Sequence, residues 1–433
     1  MARELVLQGH AVRVLEATDR AGGQVHSVEL DGLQVDVGAA HFLTDDGVVR
    51  AYLDRIGIAD RVVMPLQNSL WLHAAEGETT ALPDASLLGI PATPMSADTI
   101  RVVGRGAALR ALLDALLPGP VGAKAPTLGA LVRRRMGDGI LERLVAPVVE
   151  AERSVHPDDL PMTQVPGLVH HLLRENSLGR AVARMTLEHS AGTTVASLTS
   201  GMSGLVDALL AELDRFGVSI EYGARVAEVH PDHVVFASEE GVDSAERPER
   251  SGLIVVAAPG LVGAGDGDDA ASLAAPHVVH IVTLVLAADE GSEQGLQSAP
   301  RGAGVLVARA AVVQARVLEH VSATWPPLAE AAAGRHVVRL RYENLPSVEQ
   351  ARLDAEVLLG VSIPTDRILA TTTTSWRPAA RIVADDRIRV VGEQVAGAEI
   401  AAVIAHARSV ALDIGAPSAP PGWPADGAGA RLS

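Results

Sequence analysis

Short segments in which β-branched apolar residues alternate with polar ones recur along this chain and predict β-strands. The first, His10 to Glu16, follows a helical N-terminal segment that ends near Gly9, and Gly32 to Gly38 is a second. Strand patterns dominate the chain from Val218 onwards. They lie at residues 218–222, 225–229, 233–237, 253–257, 278–286, 304–307, 337–342, 368–374 and 388–391.

Apolar residues spaced three and four apart predict helices. They cover residues 46–56, much of 127–216, 348–359 and 399–412, whereas residues 66–126 alternate strand-like pieces with Pro/Gly loops. The chain therefore runs from α/β through a helical and a β region back to α/β. This order predicts an α/β fold: a doubly wound, Rossmann-like nucleotide-binding domain built from distant segments, with an inserted mixed-sheet domain and a helical subdomain.

The composition excludes several classes of function. The 433 residues include no cysteine, so disulfides, thiolate catalysis and cysteine-ligated metals are impossible. The net charge of −17 argues against nucleic acid as a partner, because phosphate recognition needs a basic surface. No apolar run reaches the roughly 20 residues that cross a bilayer, and residues 1–9 lack the apolar core of a secretory signal. The sequence predicts a cytoplasmic protein with at most peripheral membrane contact.

The most specific local motif is a strand that ends on Glu16 and is followed by Ala17, Arg20 and the pair Gly22-Gly23. In doubly wound folds an acid at this place binds the ribose hydroxyls of a nucleotide. The arginine suits a phosphate, and the glycines let the backbone approach it closely. The alternative is an ordinary surface turn.

The phosphate-binding G-x-G-x-x-G motif is expected about 20 residues before that acid, which lies upstream of Met1. Two interpretations are open. Either the start codon is assigned too late, or the protein binds its nucleotide poorly. The unpaired sheet edge that a missing central strand would leave favours the first.

Several segments, taken in order, resemble the flavin amine oxidase superfamily, and within it the oxygen-dependent protoporphyrinogen and coproporphyrinogen oxidases. The N-terminal segment runs from Glu16 to His41 and closes on Asp36-Val37-Gly38-Ala39-Ala40-His41. The segments that follow are Ala146–Val149, His156–Leu160, Ser177–Val182, Ser197–Leu205, Gly304–Val307, Ser322–Trp325, Val338–Tyr342 and Val391–Ile400. Of these, Gly304–Val307, Ser322–Trp325 and Val338–Tyr342 match the sheet of the substrate domain.

The resemblance implies FAD as cofactor, a tetrapyrrole substrate and O2 as electron acceptor. It implies cofactor contacts from Glu16, Ala17, Arg20, Gly22, Gly23, Gly38, Ala39, Ala40, His41, Val226, Trp376, Gly392, Glu393, Gly397, Ala398, Glu399 and Ile400. The expected domain order is an FAD-binding part at 1–65, substrate domain at 66–126, helical subdomain at 127–200, FAD-binding part at 201–262, substrate domain at 263–375, FAD-binding part at 376–415 and a disordered tail at 416–433.

The implied activity is dehydrogenation of a porphyrinogen to the porphyrin, with peroxide as the second product. No catalytic residue and no metal site are predicted. The alternatives are another oxidase or desaturase of the superfamily, and a non-catalytic paralogue that has lost FAD. Only four Trp, three Tyr and three Phe occur in the chain, which disfavours an amine oxidase because amine sites use aromatic side chains.

Four further clusters have simpler interpretations. His170-His171 is expected to be a pair of surface or groove histidines rather than a metal site, since adjacent helical residues point about 100° apart and no acid stands at a useful spacing. Gly201 to Gly204 suggests a serine N-cap before Leu205 rather than a nucleophile elbow. Asp158-Asp159 suggests a helix cap. Arg133-Arg134-Arg135 suggests a solvated helix face, with anion or membrane binding as the alternative.

Overall fold

The computed structural model describes residues 1–44, 47–66, 69–83, 86–153, 155–190, 195–237, 249–250, 252–258, 278–288, 295–376, 388–397 and 399–415. The strands are β1 (Arg13–Glu16), β2 (Ser27–Leu30), β3 (Leu33–Asp36), β4 (Phe42–Leu43), β5 (Val62–Val63), β6 (Leu70–His73), β7 (Thr79–Ala81), β8 (Ser86–Leu87), β9 (Ile90–Pro91), β10 (Val195–Leu198), β11 (Ser219–Tyr222), β12 (Val226–Val229), β13 (His233–Phe236), β14 (Glu249–Arg250), β15 (Ile254–Val256), β16 (Val279–Leu286), β17 (Gly304–Val307), β18 (Val317–His320), β19 (His336–Tyr342), β20 (Ile368–Trp376) and β21 (Ile388–Val390).

The helices are α1 (Ala2–Leu7), α2 (Val48–Arg55), α3 (Ala97–Leu112), α4 (Leu128–Met136), α5 (Asp138–Ile140), α6 (Ala146–Arg153), α7 (Leu168–Glu175), α8 (Leu178–Ser190), α9 (Ser203–Arg215), α10 (Val321–Thr324), α11 (Pro326–Ala332), α12 (Val348–Leu359), α13 (Glu393–Ala396) and α14 (Ile400–Ile414). The predicted helix at 348–359 has the bounds observed for α12, and the C-terminal helix lies within two residues of its predicted bounds. The predicted tail at 416–433 lies outside the described residues.

Parallel pairing joins distant parts of the chain in the predicted nucleotide-binding region. Strand β1 pairs with β11, where Arg13 lies opposite Ser219. Strand β15 pairs with β21, where Ile254 lies opposite Ile388. The two pairs are separate ladders. Leu15 of β1 packs against the apolar cluster that contains Ile254 and Ile388, and this packing places the first and the last motif of the chain in one α/β region, as the predicted fold class requires.

A seven-stranded mixed sheet has the order β20-β16-β19-β18-β17-β6-β7. Its strands β6 and β7 come from the early part of the chain and the others from residues 279–376, so the parallel pair β6–β17 joins two distant segments. Strands β16 and β19 are almost wholly buried. Their continuous apolar runs reflect this burial, because both faces of the central strands are covered.

Helices α3 to α8 pack around a separate apolar core that contains Leu128, Leu131 and Met136. The structure corrects the expectation of a solvated Arg133-Arg134-Arg135 face. Arg135 is completely buried and pairs with Asp114, because it lies on the same face of α4 as the buried Leu131 and Val132, four and three residues earlier.

The predicted cap at Asp158 is also corrected by the structure. Both Asp158 carboxylate oxygens accept hydrogen bonds of 2.8 Å from Arg133. Arg133 holds the pKa of Asp158 below its ordinary value, and this effect outweighs the desolvation that raises it. Asp158 is therefore a structural anchor between two segments of the helical region.

Four strands of the N-terminal half, β2, β4, β5 and β10, are not predicted by the sequence patterns, and one segment expected in the sheet forms a helix. Strand β2 forms a hairpin with β3 through the two-residue turn Asp31-Gly32, and β10 lies between β4 and β5. Ser322–Trp325, expected in the sheet, instead includes α10. There Thr324 Oγ1 donates to the His320 carbonyl and Ser322 Oγ accepts from Val337 N, so local side-chain bonds replace strand pairing.

The start of α9 differs from the predicted serine N-cap. The helix begins at Ser203 with Met202 as N-cap and no side-chain cap from that residue. Instead, the Asp36 carboxylate at the end of β3 accepts from Met202 N at 3.0 and 3.1 Å. A distant acid thus caps this helix, which is favourable because helix N-termini attract negative charge.

Candidate functional site

A cavity of about 730 Å³ lies where the N-terminal glycine turns, the last strand-to-helix motif and the seven-stranded sheet meet. The predicted cofactor-contacting residues that line it are Arg20, Gly22, Gly23, Gly38, Ala39, Trp376, Gly392, Glu393 and Ile400. They come from four separate segments of the chain. The structure therefore brings together a large part of the set that the motifs indicated.

The loops at the cavity wall are packed so closely that two positions require glycine. A Cβ atom on Gly38 would lie 1.8 Å from the Gln24 carbonyl oxygen, and one on Gly22 would lie 2.6 Å from the Val25 carbonyl oxygen. Gly22 also has a φ of 108°, which disfavours other residues. The wall here is bare backbone, which allows close approach of a ligand.

The polar atoms at the cavity include four buried ones without a hydrogen-bond partner in the described part of the chain. They are Arg20 Nη1, Trp376 Nε1, Gln394 Oε1 and Arg408 Nε. Each unsatisfied buried group costs about 1–3 kcal/mol. Three donors, two of them guanidinium groups, suit phosphate and carbonyl oxygens. This set fits a dinucleotide with a negative pyrophosphate and a polar ring edge.

Much of the remaining cavity wall is apolar, and it includes Leu205, Leu209, Val403 and Ile404. Ile281 on β16 and Thr374 on β20 extend the wall onto the seven-stranded sheet. The cavity therefore spans from the glycine turns to the inserted sheet. A planar cofactor bound here would have an apolar environment and would lie beside that sheet.

Several lining residues are absent from the sequence prediction. Gln24, Val25 and His26 directly follow the Gly22-Gly23 pair, and Arg408 lies two turns after Ile400 on α14. The helical repeat places Ile400, Ile404 and Arg408 on one face, so periodicity could have identified this arginine. Desolvation lowers the pKa of His26, and the Arg20 charge lowers it further.

Other predicted residues lie outside the cavity wall, and their contact with a cofactor stays a prediction. The Glu16 carboxylate accepts from Thr18 N and Oγ1 at 2.9 and 2.8 Å. His41 stacks on Trp325 at a centroid distance of 6.4 Å, and Glu399 pairs with Arg153 at 3.1 Å. The same holds for Ala17, Ala40, Val226 and Gly397, while Ala398 lies outside the described residues.

The family model for flavin-containing amine oxidoreductases matches residues 1–267. This chain belongs to the flavin-containing amine oxidoreductase family. The predicted family, α/β fold class and flavin cofactor are thereby confirmed, and the protein is a member of a family of flavin-dependent oxidoreductases.

Relatives of this family member include porphyrinogen oxidases. It is 23% identical over 239 residues to the coproporphyrinogen III oxidase of Staphylococcus aureus, covering 50% of this chain and 49% of the relative. It is 26% identical over 275 residues to the chloroplastic protoporphyrinogen oxidase of Nicotiana tabacum, covering 58% of this chain and 46% of the relative. The chain thus matches at most about half the length of these relatives.

Solved structures with the same fold extend over nearly the whole chain. A protein of Exiguobacterium sp. 255-15, provisionally assigned as a protoporphyrinogen oxidase, superposes with a TM-score of 0.76 at 18% identity and covers 95% of both chains. The cyclohexylamine oxidase of Brevibacterium oxydans superposes with a TM-score of 0.59 at 13% identity, again covering 95% of both chains. At these identities the likeness establishes the fold.

Two further observations concern membrane and metal. Within the described ranges, no helix combines the length and apolarity needed to span a bilayer. Across the same residues, no three His, Asp or Glu side chains come close enough to hold a metal ion. His170 is exposed and His171 is half-buried, in agreement with a pair of surface or groove histidines.

A second, smaller cavity of about 270 Å³ is lined by His320 and His336 of the seven-stranded sheet. His320 is 1% exposed, and its Nε2 lies 3.3 Å from His336 Nδ1. Desolvation by burial, together with the neighbouring His336, lowers the pKa of His320 to about 4. The imidazole is therefore neutral in the folded protein at neutral pH.

The buried His320 predicts an acid-sensitive contribution to stability. The pKa of His320 in the unfolded chain is about 6.5. Between this pH and about 4, the unfolded chain binds a proton that the folded protein does not bind. The free energy of unfolding is therefore highest above pH 6.5 and falls as the pH falls towards 4. We expect the free energy of unfolding to fall by about 2 kcal/mol more in wild type than in His320→Asn between pH 7 and pH 4.5. Urea unfolding at both pH values measures this.

The matched control for this prediction is His170→Asn at an exposed position. This variant should keep the pH dependence of the wild type. An equal pH dependence in wild type and His320→Asn would show that His320 does not titrate with a lowered pKa.

Proposed function

We propose that this protein is an FAD-dependent oxidase that dehydrogenates a porphyrinogen, either protoporphyrinogen IX or coproporphyrinogen III, to the porphyrin with O2 as acceptor. The observation that carries the proposal is one cavity that joins the glycine turns to the inserted sheet through Ile281 and Thr374. The porphyrinogen-oxidising relatives support the choice of substrate. A role in haem biosynthesis and a cytoplasmic location belong to the same proposal.

The residues of the cavity have distinct tasks in this proposal. Arg20 and Arg408 would pair with the pyrophosphate, and Gly22 and Gly38 would let the backbone approach the cofactor. Trp376 Nε1 would donate to a cofactor oxygen. Bound there, the flavin supplies the electron-accepting chemistry, as cofactors generally do.

The protein side of the reaction is orientation and exclusion of water. The apolar wall around Leu205, Val403 and Ile404 would keep solvent from the cofactor. His26, whose pKa is lowered, is neutral at pH 7 and can accept or donate a proton at a ring nitrogen.

The composition of the described wall bears on the alternative substrates. Tyr52 and Trp376 are the Tyr, Trp or Phe side chains among the lining residues. They come from α2 and from the end of β20. An amine oxidase would be expected to have a closer set of aromatic rings around its substrate.

The test uses the full chain purified with its cofactor. We expect a yellow protein that converts coproporphyrinogen III or protoporphyrinogen IX into a fluorescent porphyrin, with consumption of O2 and release of peroxide. Primary amines and polyenes serve as comparison substrates. Oxidation of an amine without oxidation of either porphyrinogen would contradict the proposal, and a colourless protein that binds no added FAD would indicate the non-catalytic alternative.

A further inference from the structure

A row of polar side chains crosses the seven-stranded sheet next to the large cavity. Arg339 on β19 lies directly opposite Thr283 of β16 and opposite Glu319 of β18. Directly paired residues project from the same face of a sheet. Ile281, two residues from Thr283, lines the cavity, so Arg339 projects from the face of the sheet that meets the cofactor loops.

Arg339 is 4% exposed, and its Nη2 donates to the Gly38 carbonyl oxygen at 2.7 Å. Its Nε lies 3.5 Å from Glu319 Oε2. Desolvation raises the pKa of Glu319, but the charges of Arg339, His41 and Arg341 outweigh it and keep the pKa below its ordinary value. The guanidinium is therefore held by an ionised carboxylate on one side and binds the cofactor loop on the other.

The Gly38 loop is linked by hydrogen bonds to the other segments that line the cavity. Ala39 N donates to the Gln24 carbonyl at 2.9 Å, and Gln24 Nε2 donates to Glu393 Oε2 at 2.8 Å. A continuous series of hydrogen bonds thus connects the inserted sheet with the first glycine turn and with the last motif. Gly38, Ala39, Gln24 and Glu393 all line the cavity.

We propose that Arg339 is a positioning residue for the flavin: it fixes the Gly38 loop against the inserted sheet and thereby sets the shape of the cofactor wall. The buried charge has one polar backbone contact, and that contact is to the loop whose backbone forms the wall. Without the Arg339 hydrogen bond, the Gly38 loop is no longer fixed to the sheet. The sheet itself keeps the backbone hydrogen bonds between its strands. The proposal rests on flavin binding and is independent of the substrate.

The test measures FAD binding to the full chain and the visible circular dichroism of bound FAD. A hydrogen bond from a charged donor corresponds to about tenfold or more in affinity. We expect Arg339→Gln to bind FAD about tenfold or more weakly, with an altered flavin dichroism. Arg339→Lys keeps the charge and one donor, so we expect it to bind about threefold more weakly than wild type.

Arg341→Gln is the matched control, because Arg341 lies on the same strand and face but donates to the Ala151 carbonyl in the helical region. We expect its FAD affinity to stay within about twofold of wild type. Equal losses in Arg339→Gln and Arg341→Gln, or wild-type binding and dichroism in Arg339→Gln, would overturn the proposal.

If Arg339→Gln does not fold, the Arg339→Lys variant tests the proposal on its own. Weaker binding with a changed flavin dichroism supports the positioning role, and wild-type values for both overturn it. Because no substrate is used, a failure of porphyrinogen oxidation leaves this result intact. A wild type that binds no FAD would overturn both this proposal and the proposed function.

Discussion

Replacing Gly38 by alanine is expected to weaken FAD binding by about five- to a hundredfold, or more. The added methyl group would lie 1.8 Å from the Gln24 carbonyl oxygen and 2.9 Å from its carbonyl carbon. Both are backbone atoms, and the same Gln24 carbonyl accepts a hydrogen bond from Ala39 N. The clash can be relieved only by moving the loop that forms the cavity wall, which costs about 1–3 kcal/mol or more.

The measurement is titration of Gly38→Ala with FAD, accompanied by urea unfolding to show that the variant is folded. Gly106→Ala is the matched control, since a Cβ atom there meets nothing within 4 Å and Gly106 lies in α3, away from the cavity. We expect the control to bind FAD like wild type. If Gly38→Ala also does so, the loop does not form the cofactor wall.

The second large expected effect concerns the stability of the helical region. Arg135→Met should lower the free energy of unfolding by about 3–5 kcal/mol, because it leaves the Asp114 carboxylate buried without its cation. Asp114 also accepts from Ser177 Oγ at 2.7 Å and from Gly179 N at 3.1 Å. Arg135 further satisfies the carbonyls of Asp114, Leu117, Pro118, Val121 and Asn176.

Arg134→Met is the control for this substitution, since it removes the same charge from the neighbouring residue of the same helix. Arg134 is exposed, so we expect a change within about 0.5 kcal/mol. Urea unfolding followed by far-ultraviolet dichroism compares the two. Similar losses in both variants would show that the buried ion pair does not hold the loop around Asp114.

Local patterns in the sequence were sufficient to predict many of the helices and strands. The apolar spacing predicted α12, and the alternation at Gly304 to Val307 predicted β17 with its observed bounds. In both cases the spacing of apolar residues within the element itself was enough to predict it. The glycines at positions 22, 38 and 392 were also recognisable from the sequence. Each lies in a motif in which the backbone must approach a ligand closely, and glycine permits that approach.

Contacts between distant residues were the part that the sequence did not predict. Asp36 caps a helix that begins at Ser203, and Arg339 binds Gly38 from β19 of the seven-stranded sheet. Nothing in the local pattern around Asp36 or Arg339 indicates the partner. Arg135 was predicted to be solvent-exposed, because a run of three arginines does not show which side chain points into the protein.

Substrate recognition is tested most directly by mixing the FAD-bound protein with coproporphyrinogen III, and separately with protoporphyrinogen IX, in the absence of oxygen. We predict that at least one porphyrinogen bleaches the visible absorbance of the bound flavin, and that admission of O2 restores it with porphyrin fluorescence. A flavin that remains oxidised with both porphyrinogens but is bleached by an amine would contradict the account.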